Sequence, residues 1–139
     1  MEKLRILIAE DDVSIHALYN KGLTDEFFEK RFASNGTEAL EIYKSWGPDI
    51  IILDIYMPNM TGYSILMRIR NDFNDNKTTI IMATSAQHNE DIKGCMRLGI
   101  QGYIVKPFNF KSISTEILKC YQKGENQMNH INEAVRNGR

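Results

Sequence analysis

Short apolar runs alternate along the chain with segments in which apolar residues recur at the spacing of a helix. Four runs have the length of a strand and lie at residues 4–9, 49–53, 78–83 and 102–105. A weaker strand candidate lies at residues 30–34. Helical spacing occurs in five segments, at residues 13–28, 37–46, 63–73, 89–98 and 110–123. The pattern therefore predicts five alternations of strand and helix.

The strong strand candidates are apolar on both faces, which is typical of a parallel sheet that helices cover on both sides. Asn35-Gly36 and Gly47-Pro48 mark the two ends of the second predicted helix. Crossovers between parallel strands are almost always right-handed, so few topologies are available. We therefore expect an α/β fold, a flavodoxin-like (βα)5 three-layer sandwich whose five-stranded parallel sheet has the strand order 2-1-3-4-5.

The composition is that of a single soluble globular domain. The chain has 139 residues, of which 42% are hydrophobic and 25% charged, and its net charge is -1. The chain has no excess of basic residues that would indicate nucleic-acid binding. No segment approaches the ~20 consecutive apolar residues of a membrane span. The N-terminus lacks the apolar stretch of a signal peptide, so we expect a cytoplasmic protein without membrane contacts.

The cysteine and histidine residues of this chain do not indicate a metal or redox site. Cys95 and Cys120 have no CxxC or Cys/His spacing, and we interpret them as packed side chains. His16, His88 and His130 fall on predicted helices or the tail, and we interpret them as surface residues.

Polar residues of different chemical types follow the four strong strands. They are Glu10-Asp11-Asp12, Asp54, Thr84-Ser85 and Lys106-Pro107, in chain order. The carboxyl ends of parallel strands share one edge of the sheet, where ligands of open α/β sheets bind. Adjacent strands are ~4.8 Å apart, so the sequence predicts that carboxylates, a hydroxyl and an ammonium group surround Asp54.

Several of these residues also have an ordinary structural interpretation. Asp12 can cap a helix, Asp54 can cap the turn that follows it, Thr84 can be a strand residue and Lys106 a solvated charge. Capping does not explain the two acids that precede Asp12. The joint placement at four strand ends therefore favours a functional site.

Electrostatics predict a cation at this edge of the sheet. Two unit negative charges ~4 Å apart repel by about 4 kcal/mol at an effective dielectric of 20. Lys106 supplies one positive charge, and a divalent metal ion would supply the further positive charge that the carboxylates need. Carboxylates, waters and a phosphate are the ligands that Mg²⁺ prefers, so the sequence predicts a place where magnesium meets a phosphoryl group.

Three sequence motifs resemble those of the receiver domain of two-component response regulators. They are "ILDIYMPNMTG" around Asp54, "ATSA" after the fourth strand and "GYIVKPF" at the fifth, and the resemblance covers about residues 3 to 123. It implies a receiver domain at residues 1–124. Residues 125–139 then form a C-terminal tail or a helical linker extension, and a frayed tail is slightly favoured because of Gly124 and the sparse apolar residues.

The resemblance implies specific roles for the acidic residues. Asp54 matches the phosphoacceptor, and Glu10 and Asp11 match the acidic pair that holds Mg²⁺ (or Mn²⁺) together with Asp54. The main-chain carbonyl of Tyr56 matches a further metal ligand from the protein. Gly62 matches the glycine that ends the loop after the acceptor.

The resemblance also implies a conformational switch. Thr84 and Tyr103 match the switch hydroxyl and the switch aromatic residue, and Lys106 matches the phosphate-binding lysine. The main-chain N–H of Ser85 is expected to contact the phosphate, and the bond between Lys106 and Pro107 is expected to be cis.

The implied function is phosphoryl acceptance from a sensor histidine kinase or a phosphotransfer protein. The phosphorylated domain would signal through the surface of the fourth helix, fifth strand and fifth helix to an unknown output partner or output domain, with a phosphorylation-dependent homodimer as one form. Such a protein modifies only itself and is not an enzyme for a separate substrate.

Three alternatives stay open at this point. A magnesium-dependent aspartyl phosphatase would ordinarily carry a second acid where this chain has Tyr56. A flavin-binding domain would need a phosphate loop where this chain has acids. A receiver-like module that binds partners without phosphorylation is disfavoured by the complete set of site residues.

Overall fold

The computed structural model describes residues 2–85 and 89–136, and over these ranges five strands alternate with five helices. The strands are β1 Leu4–Ala9, β2 Phe28–Ala33, β3 Ile50–Asp54, β4 Thr79–Ser85 and β5 Gly102–Lys106. The helices are α1 Val13–Gly22, α2 Gly36–Trp46, α3 Gly62–Met67, α4 Asn89–Leu98 and α5 Ile113–Arg136. A π-helical turn, Arg68–Asp72, continues α3.

All strands are parallel, and their order is β2-β1-β3-β4-β5. The predicted fold class and strand order are therefore confirmed. Asp54 is paired with Ala83 and Ser85 with Lys106, so the register aligns the carboxyl ends of β3, β4 and β5. This alignment brings the polar strand ends of the sequence to one edge.

Alternate residues of β3 enter two different cores, which makes the molecule a three-layer sandwich. Ile51 and Leu53 belong to the cluster that includes residues of α2, α3 and α4. Ile50 and Ile52 belong to the cluster that includes residues of α1 and α5. Burying each such side chain contributes about 1.5–3 kcal/mol, which explains why this central strand is apolar on both faces.

The first helix is shorter than the predicted 13–28. It ends at Gly22, and the N–H of Leu23 donates to the carbonyl of Tyr19 as the helix closes. The Nζ atom of Lys30 donates to the carbonyl of Leu23, so a residue of β2 stabilises this end of α1. Phe28 therefore begins β2 rather than ending α1, and its side chain is buried.

The last helix is longer than the predicted 110–123. It begins at Ile113 and continues to Arg136, so the slightly favoured frayed tail was wrong for residues 125–136. Gly124 is a buried residue of this helix. The neighbouring segments approach it closely, and a Cβ atom there would lie 3.1 Å from Oγ1 of Thr79 and from Cγ of Gln101. Residues 137–139 lie outside the described residues, and the domain division after residue 124 stays a prediction.

In residues 2–85 and 89–136 no helix is both long enough and apolar enough to cross a bilayer.

Candidate functional site

Three carboxylates meet where β1 and β3 end. Glu10, Asp11 and Asp54 each offer one oxygen, and these oxygens lie within 4.8 Å of one another. The strands are neighbours in the sheet, with Ala9 paired to Leu53, which places the residues that follow them side by side. Glu10 and Asp54 are buried and Asp11 is exposed, so the cluster has one side open to solvent. The predicted meeting of these carboxylates is thus observed.

Lys106 reaches this cluster from the end of β5. Its Nζ atom lies 3.0 Å from Oε1 of Glu10 and 3.1 Å from Oδ2 of Asp54. Burial lowers the pKa of Lys106, but the hydrogen bond to Glu10 and the charge of Asp54 outweigh it and raise the pKa above its ordinary value. The bond between Lys106 and Pro107 is cis, as predicted.

Glu10 has a raised pKa, chiefly because it is buried. Burial and the nearby charge of Asp54 raise the pKa of Glu10 to about 7, although Lys106 and the N–H of Asp12 act in the opposite direction. That N–H lies 3.2 Å from Oε2 of Glu10. Hard carboxylate oxygens with one side open to water fit Mg²⁺, which binds through one or two carboxylates and keeps several waters.

Asp12, in contrast, serves α1. Its Oδ1 atom accepts hydrogen bonds from the main-chain N–H of Ser14 at 2.9 Å and from the Ser14 hydroxyl at 2.6 Å. These bonds lower the pKa of Asp12, and the residue is the N-cap of the helix. The capping interpretation of Asp12 is therefore confirmed.

The loop after β3 is held closely against Asp54. The main-chain N–H of Tyr56 lies 3.3 Å from Oδ1 of Asp54, and the N–H of Gly62 donates to the carbonyl of Ile55 at 2.9 Å. A Cβ atom at position 62 would lie 2.2 Å from the carbonyl oxygen of Asp54, so only glycine fits there without a shift. The main-chain carbonyl of Tyr56 as a metal ligand stays a prediction.

The two predicted switch residues differ in their surroundings. The side chain of Thr84 is 1% exposed, and its Oγ1 atom donates to the carbonyl of Ser85 at 3.1 Å. Tyr103 is 49% exposed on β5, where it is paired with Met82. The geometry thus places a buried hydroxyl one residue beyond the strand partner of Asp54, and an aromatic side chain that faces outward.

Two contacts at the site were missed by sequence reasoning. The hydroxyl of Tyr56 donates to Oδ2 of Asp91 at 2.6 Å, across 35 positions of sequence. His16 is half-buried, its ring lies 4.6 Å from that of Phe32, and its Nε2 atom contacts the carbonyl of Glu10, so the interpretation of His16 as a surface residue was wrong. Neither contact has a local signal in the sequence. The side chains of His88 and His130 lie outside the described residues.

Comparisons with known proteins agree with this arrangement. A family model described as the response regulator receiver domain matches residues 6–118. The chemotaxis protein CheY of Halobacterium salinarum is 35% identical over 113 residues, which cover 81% of this chain and 92% of that protein. The probable transcriptional regulator ycf27 of Porphyridium aerugineum is 31% identical over 140 residues, covering 99% of this chain and 57% of the relative.

Solved structures show the same fold. The chemotaxis response regulator CheY4 of Vibrio cholerae superposes with a TM-score of 0.78 at 28% identity, covering 86% of this chain and 99% of that one. A CheY-like receiver domain protein of Methanospirillum hungatei gives a TM-score of 0.81 at 25% identity, covering 91% and 99%. The chain spans about half the length, 44% to 57%, of the ycf27 regulators that it matches.

Proposed function

This chain belongs to the family of response regulator receiver domains of two-component signalling, and we propose that it accepts a phosphoryl group on Asp54 in a magnesium-dependent reaction. The observation that supports this most directly is the pairing of Asp54 with Lys106 at 3.1 Å beside two further carboxylates. The donor is a sensor histidine kinase or a phosphotransfer protein.

Glu10, Asp11 and Asp54, with the main-chain carbonyl of Tyr56, are the residues that would hold Mg²⁺ (or Mn²⁺). When bound, the ion supplies positive charge that offsets the carboxylates and the oxygens of the incoming phosphoryl group. The exposed position of Asp11 leaves room for the waters that Mg²⁺ retains.

The reaction is a displacement at phosphorus. A carboxylate oxygen of Asp54 forms a bond to phosphorus while the bond to the histidine nitrogen of the donor breaks, and the electron pair of that bond stays on the nitrogen. The product is an acyl phosphate on Asp54. Lys106 holds the carboxylate before transfer and offsets the phosphoryl charge afterwards, and the main-chain N–H of Ser85 donates to a phosphoryl oxygen.

The phosphoryl group adds about -1.5 to -2 charges, and its oxygens accept strong hydrogen bonds from nearby hydroxyl and ammonium groups. Thr84 can exchange its hydrogen bond to the Ser85 carbonyl for one to the phosphate, and Tyr103 then takes the space it leaves. The surface of α4, β5 and α5 changes as a result and signals to an output partner, an output domain or a second copy of the chain. On this proposal the protein acts in the cytoplasm and transforms no separate metabolite.

The test is incubation with acetyl phosphate and Mg²⁺ followed by intact mass measurement. The wild-type chain should gain the mass of one phosphoryl group, and Asp54→Ala should gain none. Asp11→Ala should lose most of the gain, because it removes a metal ligand, and a chelator should do the same to the wild type.

Asp12→Ala is the matched control, since it removes the adjacent carboxylate that caps α1 instead. It should retain the gain in mass. A wild-type chain that gains nothing, or an Asp54→Ala variant that gains as much as the wild type, would contradict the proposal.

A further inference from the structure

The C-terminal end of α4 is anchored by a buried arginine. The Nε atom of Arg70 donates to the carbonyl of Gly99 at 2.9 Å, and Gly99 closes α4 by donating its own N–H to the carbonyl of Cys95. The Nη atoms of Arg70 donate to the carbonyls of Asp75 and Thr78, each at 2.8 Å. Arg70 is 4% exposed, so water does not compete for these bonds. This end of the helix is therefore fixed to the body of the domain.

The N-terminal end of α4 buries Ile92 in the core, while its polar contacts lie nearer the surface. The Tyr56 hydroxyl donates to Oδ2 of Asp91, the third residue of the helix, and both residues are exposed. One turn further on, the ring of Tyr63 packs against Gly94, where a Cβ atom would lie 3.3 Å from the ring. An exposed hydrogen bond exchanges readily with water, so the bond between Tyr56 and Asp91 is more easily broken than the buried bonds of Arg70.

Tyr56 also touches the acceptor. Its main-chain N–H lies 3.3 Å from Oδ1 of Asp54, while its side chain reaches Asp91. One residue therefore connects the carboxylate of Asp54 to the first turn of α4. The path is two hydrogen bonds long and does not pass through Thr84 or Tyr103.

We propose that Asp91 is a positioning residue for the acceptor Asp54 and acts through Tyr56. The contact between Asp91 and Tyr56 couples the charge on Asp54 to the N-terminal end of α4. The regulatory meaning of this coupling rests on the proposed function. Acyl phosphate formation removes negative charge from the oxygens of Asp54, and hydrogen bonds to neutral oxygens are weaker than those to charged ones. The hydrogen bond from the Tyr56 N–H to Asp54 therefore weakens and the loop after β3 loosens. The hydrogen bond between the Tyr56 hydroxyl and Asp91 then breaks. By linkage, breaking the bond to Asp91 also loosens the loop at Asp54.

The test is amide hydrogen exchange of the unphosphorylated, full-length chain. Tyr56→Phe removes one hydroxyl, and Asp91→Ala removes its acceptor. Each should speed exchange in the N-terminal half of α4 about two- to tenfold, the range expected from one hydrogen bond, and the double variant should add nothing. Amides near Gly99 should keep the wild-type rate, since Arg70 still holds that end.

Two control variants separate this contact from general loosening. Tyr63→Phe deletes a hydroxyl from the neighbouring tyrosine but keeps its ring on Gly94, and it should leave exchange unchanged. Asp91→Asn keeps an oxygen acceptor and should restore most of the protection that Asp91→Ala loses. Exchange in Asp91→Asn as fast as in Asp91→Ala would overturn the role of this hydrogen bond.

The coupling to the acceptor is tested by Asp54→Ala, which deletes the acceptor of the Tyr56 N–H. It should speed exchange in the first turns of α4, and Tyr56→Phe in that background should have a clearly smaller effect than in the wild type. Asp11→Ala is the control, since it removes a carboxylate of the cluster without touching Tyr56. Fully independent effects of Asp54→Ala and Tyr56→Phe would overturn the proposal. No phosphate is needed, so this result is distinguishable from a failure of phosphoryl transfer in the mass experiment.

Discussion

Glu10 is the most buried of the three carboxylates, at 2% exposure, and it is held between Lys106 and the N–H of Asp12. Burial and the charge of Asp54 raise its pKa to about 7 from an ordinary value of 4.5. Between these two pH values the folded chain holds a proton that the unfolded chain has released. Without metal, the stability contributed by this residue is therefore present below pH 4.5 and is lost as the pH rises through about 7.

We predict that Glu10→Gln gains stability relative to the wild type as the pH rises through this window. In the presence of a chelator, the difference in free energy of unfolding should move in favour of the variant by about 1–3 kcal/mol between pH 4.5 and pH 7.5. Urea unfolding at several pH values measures it. Asp12→Asn should give a flat difference above pH 5, because the folded pKa of Asp12 is lowered. A flat difference for Glu10→Gln would contradict the prediction.

The site could be predicted from the sequence wherever a residue lies next to the end of an apolar strand. Glu10, Asp54, Thr84 and Lys106 have that position, so the order of the strands alone brings them together. Asp91 lies on the exposed side of a helix and was not identified. Its partner is 35 positions away, and a tyrosine hydroxyl leaves no periodic signal in a sequence.

At the scale of elements, Arg70 holds the turn after α3 to two neighbouring segments by hydrogen bonds. The guanidinium group donates to the carbonyls of Gly99, Asp75 and Thr78, and it lies 3.2 Å from Oε1 of Gln101. Burial lowers the pKa of Arg70. A buried arginine that satisfies several main-chain carbonyls connects the π-helical turn, the end of α4 and the approach to β4.

We predict that Arg70→Met destabilises the domain by roughly 2–5 kcal/mol, because several buried carbonyls lose their donor. The measurement is the free energy of unfolding from urea denaturation. Arg68→Met is the control on the same turn, since Arg68 is half exposed and pairs with the exposed Asp72 at 3.4 Å. It should change stability by less than about 0.5 kcal/mol. Equal losses in the two variants would contradict the prediction.

Element boundaries could be predicted where a local signal ends an element and not where a distant contact does. The boundaries of β1 at 4–9 and α4 at 89–98 agree with the sequence prediction. The end of α1 at Gly22 depends on Lys30 from the next strand, and β2 was weak because Lys30 and Arg31 interrupt its apolar residues. Arg31 lies over the ring of Trp46 instead, with 4.5 Å to its centroid.

At the scale of the whole molecule, α5 is the longest helix of the described residues, with 24 residues from Ile113 to Arg136. Ile113 and Ile117 are buried in the core that α5 shares with α1, and Gly124 lies against the start of β4. Glu125 and Asn126 are exposed. Residues 113–124 of α5 therefore supply contacts with the body of the domain.

We predict that removing residues 127–139 leaves the fold intact. The free energy of unfolding should change by less than about 1 kcal/mol, because Ile113, Ile117 and Gly124, through which α5 contacts the body of the domain, all remain. Far-ultraviolet circular dichroism should show the loss of the helical residues 127–136. As a comparison, Ile117→Ala keeps the full length but opens a cavity, and it should cost about 2–5 kcal/mol. A large loss of stability on truncation would mean that the extension packs on the domain.

The unequal anchoring of α4 makes the helix a lever. Its 10 residues span about 15 Å at a rise of 1.5 Å per residue, and the fulcrum is the Arg70 bond to Gly99. A tilt of about 10° around that point moves the far end by about 2.5 Å, which is enough to separate Tyr56 from Asp91, while the fulcrum end hardly moves. On the proposed coupling, release of the hydrogen bond between Tyr56 and Asp91 would in this way move the outer surface of the domain by a distance of atomic dimensions.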